Sequence, residues 1–216
     1  MHDAVTAYYA SHRAALEQGT LLAKIPESDW HEQLNLLFRS TVEKYSPEGF
    51  IVDKTPTIEP LYALERIGAM WPDAKFIYCR RRGIDNVMSK QRKWPDRPFE
   101  HQCREWAAIN DVWDEKKNGL HSGWMEVDFF DLVNDVHDVA RRIGMLLALP
   151  EEETELMAGR LAATRPQISL SETTGFVRLL DTGWSDEQSK LFTRICGPTM
   201  ERCGYGSSEY WQVRSR

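Results

Sequence analysis

The stretch Lys75–Ser89, KFIYCRRRGIDNVMS, narrows the possible folds more than any other. Phe76-Ile77-Tyr78-Cys79 is a short apolar run of the length and β-rich content expected for a buried strand. It breaks into Arg80-Arg81-Arg82-Gly83. Asp85 then reads as the N-cap of a helix over Asn86–Trp94. The stretch therefore describes a strand, a guanidinium-rich turn and a helix start, with the hydroxyl of Ser89 near the first turn. Each of these suits an anion. Arginine presents fixed bidentate donors to a phosphate. A helix N-terminus adds free N–H groups and the positive end of the dipole.

Charge sharpens the point. Arg80, Arg81, Arg82, Lys90, Arg92, Lys93 and Arg97 face only Asp85 and Asp96, so this segment stands at +5 in a chain of net charge −6. A concentrated positive segment in an acidic protein favours a specific anionic ligand over nucleic acid, which usually needs a broad basic face. The same pattern also fits a solvated basic helix. The position favours a site, because open α/β sheets bind ligands beyond the carboxyl ends of their strands.

A second strand end is expected upstream. Phe50-Ile51-Val52 reads as a short buried strand that runs into Asp53-Lys54-Thr55-Pro56, and Pro56 stops regular pairing. Pro60–Met70 has helical spacing, with Leu61, Leu64, Ile67 and Met70 on one face. A strand–helix–strand unit implies parallel strands and a right-handed crossover. It would place Asp53-Lys54 and the Arg81 turn on one edge of the sheet. Lys54 there is either a surface lysine or a cation that neutralises charge in group transfer. Asp53 is a strand-ending turn residue, a group that orients Lys54, or a general base.

The rest of the chain reads as mainly helical. Helices are expected over Ala4–Gln18 and from Ser28 or Asp29 to about Lys44, the latter with Trp30, Leu34, Leu37, Phe38 and Val42 as a core stripe. Further helices are expected over Pro98–Lys117, Leu132–Leu147 and Glu151–Ala163, and a third strand over Trp124–Phe129. Thr164–Asp181 is a long polar connection. Ser185-Asp186-Glu187-Gln188 is a capping box that opens a last helix, which Gly204 closes.

Several function classes are disfavoured. No apolar run approaches the roughly 20 residues of a membrane span, and Met1–Leu16 has no apolar signal region. The four cysteines show neither a C-x-x-C pair nor a zinc spacing, which fits small buried thiols in a reducing, cytoplasmic setting. No G-x-S-x-G, G-x-x-x-x-G-K-[ST] or G-x-G-x-x-G occurs.

Taken together, Asp53-Lys54-Thr55-Pro56, Pro72-Asp73-Ala74-Lys75-Phe76-Ile77-Tyr78-Cys79-Arg80-Arg81, Asp85 and Ser89 resemble the PAPS-dependent sulfotransferases, in particular bacterial types. WMEVDFFDLV (Trp124–Val133) resembles a later family segment, and Gly183-Trp184 to Gly204-Tyr205 is similar to its closing part. The resemblance implies that Arg81 and Ser89 hold the 3′-phosphate of 3′-phosphoadenosine-5′-phosphosulfate (PAPS). It puts Lys54 near the transferring sulfuryl group or the acceptor. PAPS is then the co-substrate, with no metal, and the acceptor is a small molecule, glycan or peptide; neither nucleic acid nor a membrane is an expected partner.

There are departures. The family's Asp-Pro after the arginine is Arg82-Gly83, its Tyr-Glu is Phe129-Phe130, and its opening strand and glycine-rich 5′-phosphosulfate loop find no counterpart. The implied fold is α/β, a short parallel sheet flanked by helices, P-loop NTPase-like and N-terminally truncated. One domain is expected over 1–216, divided into a helical segment over 1–46, an α/β core over 47–150 and a helical part over 151–216. A non-catalytic anion- or nucleotide-binding remnant and a helical interaction module are the alternatives.

Overall fold

A computed structural model describes residues 6–7, 26–46, 51–121, 123–164 and 177–206. The chain separates into two units, Met1–Thr55 and Pro56–Arg216.

In the first unit, helix α1 spans Glu27–Tyr45 with Pro26 as its cap, two to three residues before the expected Ser28 or Asp29. Its apolar stripe is less buried than its periodicity suggests, since Leu37 is 59% and Phe38 45% exposed. Helical spacing identifies a face but not what covers it. Ile51 and Val52 lie in no strand and are 47% and 91% exposed. The strand expected at Phe50–Val52 is thus not formed at the positions described; Phe50 lies outside the described residues, as does nearly all of the Ala4–Gln18 helix. Three apolar residues can make too few ladder bonds to hold a strand without a partner already in place.

The second unit carries the sheet. Among the described residues it has two parallel strands, β1 (Phe76–Arg80) and β2 (Trp124–Asp128), in register from Phe76 opposite Trp124 to Arg80 opposite Asp128. The crossover runs through α4 (Gly83–Lys93) and α5 (Phe99–Lys116), after the short α2 (Glu59–Tyr62) and α3 (Leu64–Met70). The parallel pair is therefore formed forward in sequence rather than back to residues 50–52.

α5 supplies the contacts on both sides of the core. Its Trp113 stacks on Tyr78 of β1 at 4.5 Å and meets Trp124 of β2 edge-on at 5.7 Å, with Leu61 and Leu64 beside it. Its Cys103, Trp106 and Ala107 pack with Ile84 and Val87 of α4 and with Phe192, Cys196 and Met200 of the last helix, α9 (Asp186–Arg202). Of the four cysteines, Cys79, in β1, is exposed and the other three are buried.

Beyond β2 the expected helix over Leu132–Leu147 starts early and is broken into α6 (Phe129–Asn134) and α7 (Val136–Leu147). The break follows from side-chain chemistry. Asp128 accepts from the Phe130 N–H, and Asp135 accepts from the Asp138 N–H, so each aspartate caps a new helix. α8 (Glu151–Ala163) follows. Ser185 and Gln188 form the expected capping box of α9, and Gly204, at φ 82°, ends it. Residues 165–176 of the long connection lie outside the described residues.

Candidate functional site

The turn after β1 gives its three arginines different surroundings. Arg80 is still in the strand, and its partly buried guanidinium pairs with Glu126 at 2.9 Å and lies 3.9 Å from Asp128. The parallel register brings it there, since Arg80 is opposite Asp128. Burial works against the cation, but the Glu126 carboxylate, Tyr205, Cys203 and Asp128 outweigh it and raise its pKa. Tyr205, just past α9, donates its hydroxyl to Asp128 and presents its ring to Arg80 at 5.8 Å.

Arg82 is also consumed by the fold. It is 2% exposed, donates from Nε to Asp85 at 2.7 Å and reaches the Val177 carbonyl. Asp85 is therefore not the N-cap. It is the third residue of α4, which starts at Gly83, and it neutralises the buried arginine. Gly83 fits closely at that first position, where a Cβ would fall 3.1–3.2 Å from Trp106, Met200 and Phe192. The turn is thus tight and clamped.

Arg81 is different. It lies one residue past the strand, partly exposed, with its guanidinium carbon 4.5 Å from the Phe129 ring centroid at the start of α6. The Trp106 indole holds its carbonyl at 2.9 Å. Phe129 is a neighbour that sequence reasoning did not assign to Arg81. The signal was present in the parallel pairing, which puts the residue after β2 next to the residue after β1.

Ser89 is the seventh residue of α4, half-buried, one turn deeper than expected. That is about 9 Å along the axis from Gly83. With Ile84 and Val87 fully buried on one face, Ser89 falls on the opposite face, in line with Asn86 and Lys93. Arg81 and Ser89 therefore belong to consecutive parts of one strand–turn–helix unit. Asp53 and Lys54 lie in the first unit, both exposed, with Asp53 accepting from the Thr55 hydroxyl at 3.0 Å.

Of the remaining basic residues, Lys90 pairs with Glu105 at 3.0 Å, while Lys93 and Arg97 lie 4.6 and 4.9 Å from the Trp94 ring centroid. Among the described residues no group of three or more His, Cys, Asp or Glu is placed to hold a metal ion, and no helix is long and apolar enough to cross a membrane.

A search of curated proteins and a search of solved structures returned no match. The sulfotransferase family model matches residues 3–153, which take in α1, the β1–turn–α4 unit, α5, β2 and α7. With most of its length under that match, including the arginine turn and its neighbouring strand, the chain belongs to the sulfotransferase family.

Proposed function

We propose that this protein moves a sulfuryl group from PAPS to a hydroxyl or amine of a small-molecule, glycan or peptide acceptor. The supporting observation is the place of Arg81, a half-buried arginine at the carboxyl end of β1, its guanidinium set on an aromatic ring beside the N-terminus of α4. The residues present fit the donor's phosphate end. Arg81 offers a bidentate fork, Ser89 a hydroxyl, and the first turn of α4 the positive end of a dipole.

PAPS, when bound, supplies the activated sulfuryl group. Arg81 and Ser89 bind the 3′-phosphate and thereby fix the donor's orientation. The protein's contribution is mostly positioning and charge neutralisation, as in phosphoryl transfer.

Transfer of label from PAPS to a panel of alcohols, amines, sugars and tyrosine peptides tests the reading. Turnover that Arg81→Ala reduces at least ~100-fold is the expected result. Nucleotide binding without turnover on any acceptor would leave a non-catalytic binding protein in its place.

A further inference from the structure

A polar atom on the ligand-facing side of α4 lacks a partner. Asn86 Oδ1 is buried and accepts no hydrogen bond. A buried acceptor left in this state costs roughly 1–3 kcal/mol, so such groups call for an explanation. Gln102 Oε1 on α5 is in the same condition, but there the whole residue is 0% exposed and its amide nitrogen already holds the Trp94 and Arg97 carbonyls at 3.1 and 3.2 Å. That glutamine has a structural task and no route to a ligand. Asn86 has no such task among the described residues, and its side chain is partly exposed.

Position says what the molecule is. Asn86 stands three residues before Ser89, so the two side chains are neighbours on one face of α4, with Cβ atoms about 5–6 Å apart. It also belongs to the first turn, where its N–H is already bound to the Arg82 carbonyl at 2.9 Å. A phosphate held by Ser89 and Arg81 therefore has Asn86 at its side. The group vicinal to a ribose 3′-phosphate is the 2′-hydroxyl, a donor that an orphaned amide oxygen can accept.

We infer that Asn86 accepts a hydrogen bond from the ribose 2′-hydroxyl of the donor nucleotide, and so selects a ribonucleoside 3′-phosphate over its deoxy counterpart. This rests on the donor reading above.

Calorimetric titration with adenosine 3′,5′-bisphosphate and with 2′-deoxyadenosine 3′,5′-bisphosphate tests it. The unmodified protein should bind the deoxy compound about 5–10-fold more weakly, the size of one net hydrogen bond. Asn86→Ala should bind the two alike, with an affinity near that of the unmodified protein for the deoxy compound. Equal binding of both compounds by the unmodified protein overturns the role of Asn86 and leaves the donor reading standing. So does discrimination that survives in Asn86→Ala. Binding of neither compound removes the donor reading and the Asn86 contact with it. The comparison of ligands on the unmodified protein needs no variant, so a poorly folding substitution cannot mask the result.

Discussion

Arg81 and Arg82 are adjacent in sequence, yet substituting them should have opposite consequences. Arg82→Met leaves the Asp85 carboxylate without its buried partner, and breaking such a pair costs roughly 3–5 kcal/mol. Arg81→Ala gives up, among its contacts, the ring contact with Phe129, worth about 0.5–1 kcal/mol. Thermal unfolding should therefore show the larger fall in Tm for the first, while nucleotide binding is lost in the second. Equal falls in Tm would refute this division. The sequence alone could point to an arginine cluster as an anion site but could not apportion it. Three identical residues in a row carry no signal for which is buried; that is set by Asp85 and by Val177, ninety-five residues away.

At the scale of elements, the turn is tight because α4 begins against the α5–α9 core. Gly83→Ala should destabilise by roughly 1–3 kcal/mol through overpacking against Trp106, Phe192 and Met200, a cost that the better helix propensity of alanine only partly offsets. Chemical denaturation of the purified variant measures it, and a gain in stability would show that the three side chains yield. Ser185→Ala should cost about 1 kcal/mol by removing the cap of α9. Elements with local chemical punctuation were legible in the sequence. Ser185 and Gln188 announced their helix and Gly204 its end, and Phe76–Cys79 announced β1. What depended on partners was not. Ile51 and Val52 have strand-forming side chains but no strand, and Leu37 and Phe38 have core spacing but remain exposed. The Asp135 break was missed because the apolar periodicity runs across it, and only the aspartate's bond to the Asp138 N–H reveals a new start.

At the scale of the second unit, Glu126 ties the sheet to α5 and α7. It accepts from the Trp113 indole and from Lys117, both at 2.8 Å, pairs with Arg80, and its carbonyl receives Arg142. Burial alone would raise its pKa, but the bonds from Lys117 and Trp113 and the charge of Arg80 outweigh that and hold it below the ordinary glutamate value. A carboxylate depressed in the folded state stabilises the protein above its unfolded pKa, and that contribution is lost as the pH falls through the folded one. Tm should therefore fall as acid is added from the ordinary glutamate range downward, and Glu126→Gln should flatten that part of the curve. An unchanged acid limb in the variant would show that other carboxylates carry it.

The Arg81–Ser89 motif could be read from the sequence because its residues lie in one short run. The neighbours Phe129, Glu126 and Tyr205 could not, because the parallel register and the end of α9 bring them in from far along the chain. The account as a whole stands on Arg81 and Ser89 acting on one phosphate. Isothermal calorimetry of the unmodified protein, Arg81→Ala and Ser89→Ala with adenosine 3′,5′-bisphosphate measures that most directly. Micromolar binding that is abolished in Arg81→Ala and weakened roughly tenfold in Ser89→Ala is the expected result. No heat at millimolar nucleotide, or binding that both variants retain, would contradict it.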